Sequence, residues 1–348
     1  MVNNSNTKAQ NINNTQKKKY RVVMFWLCIL SIFVFIISLL SGRAGITNPI
    51  KLINALFNDV EDYSQMIHIW QNIRIPRALA AFVVGASLSV SGLVYQTTFN
   101  NKLVSPDILG VSAGCCVGAG VAILFGLSNS SIKLLSSVFG IATVFITVLL
   151  PKLFKNRSNI TLVLSGIIVG SFMDSILSLI KYIADKNDKL GDIVFWIMGS
   201  LVGIQNDEVL GCLLFNIVPI VILFIMGQRI NVVSLGKDEA ESLGIKYITN
   251  RYVIIVCSTL LTASCVSMCG NVGWVGLVIP HIARAFVGDD VRIAMPVTIV
   301  LGGLFLMAVD FLSRTVSVNE IPLSIITGFV GAIIYTIILK RRGRYIND

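Results

Sequence analysis

Long apolar runs alternate with short polar breaks along almost the whole chain. An α-helix needs about 20 residues to cross a hydrocarbon core. On that measure the runs at 22–41, 78–97, 108–126, 132–150, 160–182, 208–228, 252–270, 274–288, 293–313 and 321–340 are ten candidate spans. Some are short or interrupted by Gly and Pro. A further run, "FWIMGSLVGI" at Phe195–Ile204, is too short to cross and is expected to lie at the interface. Continuous runs of this length predict an all-α helical bundle; a closed barrel would show short alternating strands instead.

Composition agrees. The 348 residues are 55% hydrophobic and only 13% charged, against about 25% charged in soluble domains. A mean hydropathy of +0.80 leaves too little polar surface to coat a globule, so the class is a polytopic membrane protein without a sizeable soluble domain. Residues 1–21, "MVNNSNTKAQNINNTQKKKYR", are polar and Asn-rich, and a disordered tail is expected there. The membrane domain is then 22–342, followed by a tail at 343–348. A run of about 19 apolar residues exceeds the 7–15 of a signal-peptide core, so the first helix is read as retained although "SLLSGRAG" has small residues. The segment Gly42–Arg77 contains an amphipathic patch, "NPIKLINALF".

Charge sets orientation. With the N-terminus inside and ten spans, 19 of the 28 Lys and Arg fall in inside segments, as the positive-inside rule requires. Both termini are therefore placed in the cytosol, with 229–251 as the longest inside loop. The +10 net charge is mostly this bias and no sign of a nucleic-acid partner, because the basic residues are scattered.

Little in the chain suggests catalysis. "LGKDE" at Leu235–Glu239 lacks the upstream Gly and the hydroxyl residue of a phosphate-binding loop, and no Ser-His-Asp arrangement appears. Two histidines, His68 and His281, argue against a His-based metal site. The seven cysteines sit nearly all in spans and read as small packing residues. Cys265 and Cys269 share a helical face but lack a nearby His or carboxylate to complete a metal site. No catalytic residue, metal or cofactor is assigned, so any energy input must come from another subunit or an ion gradient.

Four stretches carry information. Arg74 and Arg77 flank Pro76 at the outer start of the second span, where they read as interfacial arginines or as a dock for an acidic partner. Gly85, Ser87, Ser89, Ser91 and Gly92 offer small faces for close helix packing. "SPDILGVSAG" has Ser105 as a candidate N-cap and Pro106 in the first turn. Asp174 stands near the middle of the 160–182 span, with Ser178 and Lys181 on its face; a carboxylate there is costly and faces a cavity or a partner.

"RIPRALAAFVVGASLSVSG", "NNKLVSPDILGVSAG", "FWIMGSL", "SLGKDEAESLGI", "GWVGLVIPHIAR" and "DFLSRTVSVNEIPLSIITGFVGAIIY" occur in this order. Together they resemble the permease subunits of ABC importers for ferric siderophores, haem and cobalamin, over about residues 22–342. The resemblance implies a type II ABC importer permease fold of about ten transmembrane helices in a bacterial cell membrane. It also implies a second permease subunit, two cytosolic ATPase subunits and an extracytoplasmic binding protein, with the cargo passing between the two permeases. The cargo class implied is an iron chelate, first a ferric siderophore, with haem or cobalamin as alternatives. A secondary transporter or channel working alone is the alternative of another class, but it would call for more intramembrane carboxylates.

Residue by residue, the family's ATPase-coupling loop maps onto Ser234, Leu235, Gly236, Glu239, Ala240, Leu243 and Gly244. Arg74, Arg77 and Arg314 match outer-face arginines that meet glutamates of the binding protein, with Asp310 orienting Arg314 from one turn away. Asp174 departs from the small or apolar residue usual in the family. It is expected either to face the passage or a water-filled part of the subunit interface, or to be buried against a neighbouring helix. In "GNVGWVGLVIPHIAR", Gly270, Gly273 and Gly276 are expected to let the chain turn and pack, and Pro280 to break or start a short helix. His281 and Arg284 then fall on the cytosolic side of a structural hinge.

Overall fold

The computed structural model describes residues 2–41, 64–153, 158–186 and 188–344, and no strand occurs among them. The chain begins with α1 (Val2–Leu40). Then come α2 (Ser64–Ile69), a wide π-turn (Trp70–Arg74), α3 (Ile75–Thr98) and a 3-10 turn (Pro106–Leu109). Next are α4 (Val111–Leu124), α5 (Asn129–Leu153), α6 (Asn159–Ile183) and α7 (Lys189–Met198). After them run α8 (Asn206–Ile225), the short α9 (Gly227–Val233) and α10 (Lys237–Ser242), and α11 (Tyr247–Cys269). Last are α12 (Val275–Val287), α13 (Val291–Thr315) and α14 (Leu323–Arg344).

Each of the ten expected spans meets a helix. Seven are long and apolar enough to cross a bilayer, while α4, α12 and Leu323–Ile338 of α14 are shorter apolar helices. The short ones are viable because irregular backbone beside them is enclosed by other helices, which leaves no bare peptide group facing lipid.

Helix α3 is the hub. The most apolar window of its span is 89% buried, against 6% for α1, which lies at the periphery. Small residues make this possible. A Cβ on Gly92 would overlap the backbone carbonyl of Gly276 in α12, and one on Gly85 would overlap that of Gly302 in α13. The axes can therefore approach to backbone contact, and dispersion replaces the hydrophobic drive that lipid does not supply. Ser91 adds a polar tie, its hydroxyl 3.1 Å from the Ser258 carbonyl and 3.0 Å from the Thr262 hydroxyl of α11.

Helix α1 takes in the polar N-terminal residues, and no Gly or Pro interrupts the sequence from Val2 to Leu40. Two local expectations are corrected. Ser105 precedes only the 3-10 turn and makes no side-chain cap; left-handed Gly110 (φ 79°) ends that turn before α4 begins at Val111. The short helix expected over 195–204 lies earlier, at Lys189–Met198, and takes in Lys189 and Asp192 of the preceding charged stretch before left-handed Gly199 (φ 77°) stops it. The amphipathic patch at 48–57 and the last residues, 345–348, lie outside the described residues.

Candidate functional site

Three features stand out: a pair of short helices at one end of the bundle, an ion cluster at the other, and a polar helix face between them. At the first end, α9 and α10 are separated by Ser234, Leu235 and Gly236, whose φ of 114° suits glycine and redirects the chain. Ala240 of α10 is fully buried, while Leu235 and Leu243 are 58% and 62% exposed. Glu239 is exposed beside them, and left-handed Gly244 (φ 78°) closes the unit. The result is a small platform with two apolar knobs, rimmed by the exposed Lys237, Asp238, Glu239 and Glu241.

The platform is anchored. Asn231 of α9 donates from Nδ2 to Asp290 Oδ1 at 2.7 Å, and its own Oδ1 accepts from the Val291 amide at 3.0 Å. Asp290 in turn caps α13 by accepting from the Arg292 amide at 3.0 Å. The Arg292 guanidinium, 2.6 Å away, and Asn231 hold the Asp290 carboxyl below the usual carboxylate range.

At the opposite end, the sequence singled out Arg74, Arg77 and Arg314, and the structure brings all three together. They are turned inward, with 4%, 6% and 5% exposure. Arg77 donates from Nε to the fully buried Asp310 at 2.7 Å, and its two terminal nitrogens grip Glu320 at 2.9 and 2.8 Å. This fork-on-carboxylate geometry suits Arg and not Lys. Arg314 Nε lies 3.4 Å from Asp310 Oδ2, the expected one-turn pair, and its Nη2 donates to the Ser38 carbonyl at 2.8 Å and also bonds the Ser38 hydroxyl. Arg74 donates to the Leu39 carbonyl at 2.9 Å. The cluster thus ties the end of α1 to the start of α3 and the end of α13. Glu320 is the member sequence reasoning missed, because it sits in a loop with no periodicity to place it.

Asp174 lies on the exposed face of α6. Its backbone carbonyl accepts from Ser178 Oγ at 2.8 Å. Burial against a neighbouring helix of the same chain, one of the two expectations, is therefore not the arrangement seen. At about 100° per residue, Asp174, Ser178 and the half-buried Lys181 fall in one sector with the exposed Ile167, and Ser171 and Ser175 lie beside them. The adjoining sector carries the exposed Ile168, Phe172, Leu179 and Ile183.

The run from Gly270 to Arg284 is a bend followed by a helix. Gly270 (φ 75°) ends α11, and Trp274 adopts a left-handed φ of 70°. The bend is held by a hydrogen bond from the Ser200 amide to the Cys269 carbonyl at 2.8 Å. Trp274 packs over Gly331 of α14 at 2.7 Å from the position of a Cβ there. Gly276 is needed for packing, but Gly273 has open space around it, contrary to expectation. Nor does Pro280 break α12. A proline removes the donor for the carbonyl four residues earlier, here Gly276, and that carbonyl instead accepts from Gln96 Nε2 of α3 at 3.3 Å. Gln96 also bonds Arg284 through Oε1, while the His281 ring stands edge-on to Tyr335 at 6.0 Å. Asn216 of α8, 3.1 Å from Ser87 Oγ, is a second buried amide that pattern reading passed over.

A bundle of helices long and apolar enough to span a bilayer, with an exposed platform at one end, suits a membrane transport protein. The chain belongs to the FecCD transport family, whose pattern matches residues 29–341. It is 36% identical over 339 residues to the molybdate import system permease protein of Haemophilus influenzae, covering 94% of this chain and 99% of that one. Over 281 residues it is 34% identical to the "Probable iron chelatin transport system permease protein" of Helicobacter pylori strain 26695, covering 81% and 85%. A solved structure described as "An inward-facing conformation of a putative metal-chelate type ABC transporter" superposes with a TM-score of 0.82 at 34% identity, over 92% of this chain and 99% of that one. The type II ABC importer permease fold is thus established.

Proposed function

We propose that this chain is the membrane-spanning subunit of an importer whose passage forms between two permease subunits and whose work is done by two separate cytosolic ATPase subunits. The cargo is an iron chelate, in the first place a ferric siderophore, delivered by an extracytoplasmic binding protein. The supporting observation is the α9–α10 platform. Leu235 and Leu243 are offered to a partner, while Ala240 and the Asn231–Asp290 clamp fasten the platform to the bundle. Such an element can pass a rigid displacement from an ATPase groove to a membrane helix. On this reading, Ser234, Gly236, Glu239 and Gly244 shape the platform, and both termini are cytosolic.

The binding protein docks at the opposite end. Buried Arg74, Arg77 and Arg314 support that surface from below and, three cations against Asp310 and Glu320, lend it a positive field that steers an acidic partner. Asp174 lines the passage. The test is reconstitution of the permease with its ATPase and binding protein in liposomes, loaded with a ferric siderophore. ATP-dependent uptake is expected. Leu235→Asp with Leu243→Asp should abolish it while stability changes by no more than about 0.5 kcal/mol, as at other surface sites. Uptake by the permease alone, without ATPase, would identify a stand-alone transporter instead.

A further inference from the structure

The exposed surface of α6 is divided in its second half. One sector there is apolar, with Ile168, Phe172, Leu179 and Ile183; the other carries Ser171, Asp174, Ser175, Ser178 and the half-buried Lys181, following the exposed Leu164 and Ile167 of the preceding turns. Lipid can cover the first sector but not the second, because a charged side chain at mid-bilayer seeks water or a counter-charge. Asp174 lies about 13 Å from the Ile183 end of the helix and about 22 Å from the Asn159 end, at 1.5 Å per residue. The nearest charge on the sector, Lys181, is about 10 Å further along the axis, beside Tyr182 and Asp185 toward the helix end, where a lysine can reach out to water. Asp174 therefore stands as the charge of the middle stretch, with serine hydroxyls around it.

We propose that Asp174 is a charge filter that admits cationic or neutral, donor-rich cargo and rejects oxyanions. This rests on the reading of α6 as a wall of the passage. In a pair of copies related by a two-fold axis along the membrane normal, the two Asp174 carboxylates stand at one depth and reinforce each other. Rings of acidic side chains select cations in pores, and basic ones select anions. The chain would thus differ in cargo from its molybdate-importing relative, since molybdate is an oxyanion.

The experiment separates this proposal from the reading beneath it. Ser178→Cys and Leu179→Cys are made in a Cys28→Ser background, with the permease assembled with its ATPase in membrane vesicles. Each is labelled with a cationic trimethylammonium and an anionic sulfonate methanethiosulfonate reagent, and the parent chain gives the baseline. Ser178→Cys is expected to react with both and Leu179→Cys with neither. The cationic reagent should be faster at Ser178→Cys by about fivefold, as a carboxylate at a few ångströms dictates in a partly watered site. Adding Asp174→Asn should level the rates, and Asp174→Lys should reverse them. Labelling with no charge preference, or with one that survives Asp174→Asn, overturns the filter and leaves the passage standing. If Ser178→Cys does not react, both readings fall.

Discussion

At the residue scale, the buried ion cluster and the Gln96–Gly276 contact are the decisive interactions. Asp310 is fully buried between Arg77 and Arg314. Arg77→Ala leaves that carboxylate facing Arg314 at 3.4 Å and takes the two-pronged grip away from Glu320. Breaking a buried pair in this way costs about 3–5 kcal/mol, so the melting temperature in detergent should fall sharply. Arg77→Lys should recover part of the loss, because it keeps the charge but not the fork. A second prediction concerns Gln96. Gln96→Leu leaves the Gly276 carbonyl without its donor, at a cost of about 1–3 kcal/mol. Pro280→Ala restores the helix's own N–H to that carbonyl, so in its background the same substitution should cost less. A double-mutant cycle measures the difference, and strict additivity would show that the amide does not compensate for the proline.

At the element scale, the α9–α10 platform and its clamp form one mechanical unit. Asp290→Ala removes an N-cap, worth about 1 kcal/mol, together with the bond from Asn231. The part due to the ion pair with Arg292 is small because the Arg292 side chain is largely in water. The sign with pH follows from the carboxyl being held below its ordinary range by Arg292. Its contribution is complete above the unfolded value and lost as pH falls through the folded one. The melting-temperature gap between wild type and Asp290→Ala should therefore hold steady from neutral pH to about 5 and shrink below that.

The membrane helices were legible in the sequence because crossing a membrane demands long apolar runs, which seven of the ten meet, and the three shorter ones still showed as apolar runs. Their ends were not. Where α4 begins depends on Gly110 taking a left-handed turn after Leu109, and where α7 begins depends on packing beneath it, neither of which hydropathy registers. Pro280 misled for the same reason, since the donor that rescues α12 comes from residue 96, nearly 200 positions away.

At the scale of the whole molecule, the two polar ends could be anticipated from charge and family resemblance, but not what their residues do there. Arg77 and Arg314 look like surface cations in one dimension. One-turn spacing already paired Arg314 with Asp310, but only the return of α13 beside α3 brings Arg77 to the same carboxylate, and only the loop after α13 brings in Glu320. Asp174 is the reverse case. Its place in an apolar run marked it as unusual, and three dimensions show that no other helix among the described residues covers it. The face that carries it has a consequence for how the protein is made. A solitary copy inserted in the membrane must either draw water down beside α6 or let the bilayer pucker around it. Newly synthesised chains should therefore survive only as fast as they find a mate, and cells that make an excess of single copies should degrade the surplus.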